Sequence, residues 1–375
     1  MDRSRFGAGN RRHHFAFAGA LSAAAVGLQL GAGRALADGD AGAVYTMTNA
    51  TAGNAVLVFR RSGDGTLRAA GSFPTGGLGS GAGLGSGHAV VVSRDGNEVV
   101  AVNPGSGSVS VFDARPDGIA LIGAAVPSGG ARPTSVTIHR DLVYVMNADS
   151  NAIAGFRLER RRGLVPIPGS VRPLGAGTSM AAQIQFDREG RVLIVDERGG
   201  AGTIDTFVVD RDGAAGPART IPAAAGGPFG FDVDRQGHVL FSNTALGGGL
   251  MSGATSYDVA RDGTLTPNGA PISSGQAAAC WLAAAKRFAY TTNAGSGSIG
   301  RFGVATSGAL RLLGTTVIGA GSQPLDIGAT RNQEFVYVLA NGRRQILGYR
   351  VGADGDLTPV ASVDVAPGSI GLDAA

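Results

Sequence analysis

Few side chains in this sequence could do chemistry, and no familiar catalytic motif gathers them. Only 16% of the 375 residues are charged. A transition-metal site needs His, Cys, Asp or Glu at ligand spacing, and the sequence holds no HExxH, no paired CxxC and no Asp-rich calcium loop. No metal or organic cofactor is therefore expected. Cys280 is the only cysteine, so no intramolecular disulfide forms, and beside Trp281 it reads as a small buried hydrophobe. Gly177-Thr178-Ser179-Met180-Ala181 approximates a nucleophile elbow but precedes a strand, not a helix. Residues 76–87 alternate glycines without matching GxGxxG or a P-loop, and read as a flexible loop. What remains is acid–base chemistry on a carbonyl, which takes a base to activate water and a donor facing the developing oxyanion. Glu197 is the best base, at the end of an apolar strand beside Arg198. His88 opens a strand just after the glycine loop, and Arg132, before Pro133, could polarise a carbonyl or hold a carboxylate. Gln183, Asp326 and Arg198 are candidate substrate contacts, and Trp281, the only tryptophan, a candidate stacking floor. Each has a plainer reading too: Glu197 in an exposed turn ion pair, His88 as a solvated or capping residue, Trp281 as packing. His139 and His238 sit at hairpin turns and read as surface residues.

The elements that must position these groups are written as a repeat. Residues 288–302, FAYTTNAGSGSIGRF, give an apolar run, a Gly/Ser turn and a second alternating run, the signature of a β-hairpin. Six further copies begin at Val44, Val99, Val143, Val192, Val239 and Val336. A polar marker near the end of each first run falls at Thr48, Asn103, Asn147, Asp196, Asn243 and Asn293, with Ala340 in the last copy. After a first step of 55 the spacing is 44, 49, 47, 50 and 47, and the long step contains the 76–87 insert. Asp-Gly turns follow most hairpins, as at Asp64-Gly65, Asp212-Gly213 and Asp354-Gly355. This period suits a four-stranded antiparallel blade, and seven blades predict an all-β, seven-bladed β-propeller. The first blade lacks an inner strand and the last residues supply a spare one. Residues 367–375 are therefore expected to pair with residues 43–47 and close the ring, since an open arc would leave two bare edges.

With its Tyr-Val-x-Asn strand, Ser-Gly turn, Val-x-x-Phe strand and Asp-Gly-x-Leu, the repeat resembles the lactonase-type seven-bladed propeller family, which includes 6-phosphogluconolactonases and carboxymuconate-cyclising enzymes. The likeness covers residues 43–375. Ala182-Gln183-Ile184-Gln185-Phe186, Pro228-Phe229-Gly230-Phe231 and Cys280-Trp281 are similar to a secreted branch of that family. The resemblance implies the fold and a small-molecule lactone as substrate. In phosphogluconolactonase-like members an inner strand carries Gly-Pro-Arg-His, with an Asn-Glu pair one strand later. Here the corresponding strand, residues 177–183, lacks that Arg and His, while Glu197 of Asp196-Glu197-Arg198 matches the family glutamate.

Residues 1–37 read as a signal peptide: basic through Arg12, apolar from Phe15 to about Gly33, then Ala35-Leu36-Ala37 as a small-x-small cleavage site. Arg11-Arg12 loosely resembles a twin-arginine signal. Five arginines against Asp2 alone in this segment account for the whole net charge of +4. The remainder, residues 38–375, is neutral, which gives no electrostatic case for nucleic acid or an acidic membrane. The expectation is a periplasmic or secreted monomer, hydrolysing a small, carboxylated or sugar lactone without a metal. The alternative is a non-enzymatic propeller that binds an extracytoplasmic partner. If His88, Arg132, Gln183 and Glu197 meet at one channel mouth, the enzyme is favoured; if they scatter over opposite faces, the binder is.

Overall fold

The computed structural model describes residues 40–115, 118–160, 162–175, 180–244 and 252–375. The leader and its cleavage site lie outside them, as do residues 177–179 of the elbow-like stretch. Seven antiparallel sheets follow one another, each with a path of four strands running from the centre outward, and three of them carry a fifth short strand that also pairs with the third. Their inner strands are Val90–Val92, Pro133–His139, Ala181–Phe186, Pro228–Val233, Ala279–Ala285, Pro324–Ala329 and Ile370–Ala374. We number the blades 1 to 7 from the N-terminal side; blade 1 holds Asp40–Met47, Ala55–Ser62 and Leu67–Pro74, with Ile370–Ala374 as its inner strand. That pairing is antiparallel, with Val44 opposite Ala374 and Thr46 opposite Leu372, as the sequence predicts.

The repeat's residue choices explain how the blades are held. Second strands such as Phe288–Asn293 and Phe335–Ala340 are buried throughout, because they face neighbouring blades on both sides and so have no solvent side to make polar. Tyr144, Tyr290 and Tyr337 are also fully buried, and each hydroxyl donates to a carbonyl in the Asp-Gly turn of the following blade. Tyr337 reaches Gly65 at 2.8 Å and so fastens blade 7 to blade 1. The turn glycine is required twice over: Gly65 has φ +93°, and a Cβ there would come within 2.3 Å of the Phe335 ring. A buried hydroxyl without its partner would cost about 1–3 kcal/mol, so the Tyr and the Asp-Gly are two halves of one device.

The inner strands are too far apart to pair as a sheet and are laced by side chains instead. Asp232 Oδ2 accepts from Ala284 N at 2.9 Å, Asp326 Oδ2 from Gly371 N at 3.2 Å, and Asp373 Oδ2 from Val92 N at 2.8 Å. Ser135 and Thr137 hydroxyls accept from Ile184 N and Phe186 N. Each contact crosses a blade boundary and satisfies an inward backbone amide that would otherwise be orphaned.

Candidate functional site

The inner strands enclose a channel with two mouths. One lies where the strands begin, the other where they turn back at hairpins such as Asp95-Gly96 and Glu189-Gly190. Residues 86–88 lie across the first mouth. Gly87 N donates to Ala182 O of blade 4 at 2.9 Å, Ser86 Oγ to Thr134 O of blade 3 at 2.8 Å, and Trp281 Nε1 of blade 6 to Ser86 O at 3.0 Å. The glycine-rich insert is thus not a free loop. Asn49 fixes it through Ser80 N and Ala82 O, and Ser106 through Leu78 N. Its glycines let backbone pass close to backbone: a Cβ on Gly79 would come within 2.1 Å of Asn49.

Beneath this strap, at blade 4, a polar cluster is walled in. The second strand Val192–Glu197 carries Asp196 and Glu197 at its end, 0% and 1% exposed. Burial raises the Asp196 carboxyl well above its ordinary value, and the adjacent Glu197 raises it further. The Gln183 backbone and the Arg198 guanidinium act against that rise without cancelling it. Burial thus favours the protonated form of Asp196, which sits next to Glu197 in the chain. The Arg198 guanidinium sits 4.8 Å over the Phe229 ring, and Gly85 of the strap packs against it. Cys280, half-buried nearby, has its thiol pushed up to about 11 by burial, so it is no thiolate nucleophile.

The positions marked in the sequence divide among three surroundings. Glu197 and Arg198 belong to this cluster; Glu197 is enclosed, not part of an exposed turn. Gln183 lines the same wall, but its amide is held in both directions by the Phe231 backbone. Trp281 packs edge-on against Phe229, ring centres 5.0 Å apart, with its N–H given to Ser86, so its face is no open stacking floor. His88 turns the other way, into the channel. Its Nδ1 is buried without a hydrogen-bond partner, and burial holds the imidazole neutral, down to about 4. Asp326 also lies inside the ring, bonded to Gly371. Arg132 is on the rim, 2.6 Å from Asp149 and half-exposed. These residues share one end of the strands, but they do not point into one pocket. His139 and His238 correct the surface reading: His139 is half-buried against Phe186, and His238 is enclosed because Asp234 Oδ2 holds its Nδ1 at 2.9 Å. The sequence reading missed Asp196 as an acid, and Asp232 and Asp373 as channel carboxylates. Burial raises Asp232, and pushes Asp373 up to about 6. A lone Asp in an otherwise apolar inner strand was the available signal.

Residues 88–248 match the family described as "Lactonase, 7-bladed beta-propeller". No curated protein sequence matches the chain. Among solved structures, a putative 6-phosphogluconolactonase from Bacteroides uniformis is similar over 89% of this chain and 99% of its own, at 18% identity and a TM-score of 0.69. A second, from Bacteroides fragilis, is 19% identical with a TM-score of 0.66, covering 90% and 98%. The periplasmic gluconolactonase of Pseudomonas aeruginosa is 15% identical with a TM-score of 0.67, covering 89% and 98%. The matched segment contains the Asp196-Glu197-Arg198 cluster. With its blades closed into a ring, the chain has the seven-bladed β-propeller fold, and residues 88–248 resemble the lactonase family of such propellers.

Proposed function

We propose that the chain is an exported hydrolase that opens a small lactone at the first mouth of the channel. The observation carrying this reading is the enclosed pair Asp196 and Glu197 beside Arg198, within the segment that matches the family. Glu197 takes a proton from water as the water oxygen attacks the lactone carbonyl. Neutral Asp196 and the Arg198 cation supply the positive and donor character that the carbonyl oxygen needs as charge builds on it. The ring C–O bond then breaks, and the leaving alkoxide takes the proton held by Glu197, giving the hydroxyl of a hydroxy acid and restoring the base. His88 and Arg132 take no direct part, since one faces the channel and the other pairs with Asp149. Glu197 is enclosed and the strap packs against its neighbour Arg198, so in this reading substrate enters when residues 80–87 lift. Export is inferred from the basic and apolar leader, and the proposed location is the periplasm or outside.

The purified protein is tested on a panel of sugar and carboxylated lactones. Hydrolysis above background, lost by about 100-fold or more in Glu197→Gln, is expected for removal of a general base. Full activity in that variant removes Glu197 from the mechanism. No hydrolysis of any lactone leaves the reading of a non-enzymatic binder, which draws on the missing Arg-His element.

A further inference from the structure

The second mouth carries a pattern that net charge conceals. In six of the seven blades the inner hairpin turn holds a basic residue at the same place: Arg94, Arg140, Arg188, Arg235, Lys286 and Arg331. In the four wider turns a capping side chain precedes it. Ser93, Asp187 and Asp234 accept from or bond to the turn that follows, and Thr330 does the same. The four arginines of those turns line a cavity of about 400 Å³ that runs inward to His88.

No carboxylate forms an ion pair with these arginines among the described residues, although Asp373 and Asp95 lie close enough to act on Arg331 through space. Asp187 accepts from Arg191 N and Val192 N, and Asp234 is held by three turn amides and His238. Asp232 and Asp373 face the cavity but are used to lace the inner strands. The guanidinium groups are held by carbonyls instead. Arg235 donates to Arg331 O at 3.3 Å, and Arg331 donates to Ser93 O and lies over Gly96, where a side chain would collide with it. Arg94 and Arg188 have neither an ion pair nor a hydrogen bond among the described residues. A carbonyl anchor orients a guanidinium while leaving its charge unspent. At the inner end, the Ile184 backbone engages the His88 ring while Nδ1 stays unpartnered. The volume falls in the roughly 300–1,000 Å³ of small-molecule sites.

We propose that this mouth binds a small organic or inorganic polyanion bearing two or more carboxylate or phosphate groups, gripped by Arg94, Arg188, Arg235 and Arg331. The site lies at the opposite end of the channel from Glu197 and stands or falls independently of lactone hydrolysis. Citrate and pyrophosphate serve as probes, titrated calorimetrically into the full chain at low ionic strength, with acetate as the singly charged control. Saturable binding of at least one polyanion is expected, with acetate weaker. Arg188→Ala with Arg235→Ala should weaken it about tenfold or more, the loss of two charge-assisted contacts, with melting unchanged because both residues sit in solvated turns. Arg188→Lys with Arg235→Lys should fall between, since the charge stays but the fork is lost. No saturable binding to the unaltered protein, equal binding by the double alanine variant, or binding of heparin alone would overturn the proposal.

Discussion

Asp326 should make the protein more stable in acid than at mild alkaline pH, against the usual behaviour of a carboxylate. The side chain is 4% exposed within blade 7 and accepts from Gly371 N of the closing strand at 3.2 Å. Burial outweighs that hydrogen bond and drives its carboxyl from 3.8 up to about 7. Between those values the native state keeps a proton that the unfolded chain has released, so stability falls as pH rises through this window. The contribution is complete below 3.8 and gone above about 7. About three pH units at ~1.4 kcal/mol each set the effect at no more than about 4 kcal/mol. Asp326→Asn keeps the shape and an acceptor for Gly371 but cannot ionise. Urea unfolding, followed by Trp281 fluorescence, should show the variant more stable than the parent at about pH 8, with the gap closing towards about pH 4. Parallel stability differences at both pH values, or a variant weaker at the higher one, would refute the reasoning.

Two further outcomes test the ring and the strap. Removing residues 366–375 strips blade 1 of its inner strand and exposes the edge of Asp40–Met47, and soluble folded protein should be lost; a truncated chain that melts like the parent sinks the closure argument. Trp281→Phe keeps the ring contact with Phe229 but deletes the donor to Ser86 O. Amide exchange in residues 80–88 should quicken by roughly five- to tenfold, the loss of about 1 kcal/mol, while other amides hold; unchanged exchange means the strap is fastened elsewhere.

The blade count and the closure were legible because each rests on a local pattern that recurs around the ring. A Tyr, an Asn and an Asp-Gly come back at similar separation in most copies, since each blade must meet its neighbour in the same way. The site was less legible because it depends on what crosses between blades. Glu197 precedes Gly199 and Gly200 and so reads as a turn residue. The strand in fact runs through it, and an insert more than 100 positions earlier packs against its neighbours Arg198 and Gln183. Gln183 and Asp326 read as polar residues facing a channel, yet both are spent on backbone amides or carbonyls of the next inner strand. Arg132 has a mouth position, but Asp149 claims it. The basic turn residues are visible as Ser-Arg-Asp-Gly, Asp-Arg-Glu-Gly and Asp-Arg-Gln-Gly, but summing charge over the chain erased them.

Thr46 Oγ1 bonds to Ile370 O across 324 positions of sequence. Contacts of such separation form slowly, because a long loop must be drawn in before anything is gained. The first three strands of blade 1 therefore wait, half-built, while the other six assemble. That interval is the most hazardous in the life of the molecule, when a stray strand from another copy could take the vacant berth. Once the proper strand arrives, the slowest contact to make has become the latch of the whole wheel.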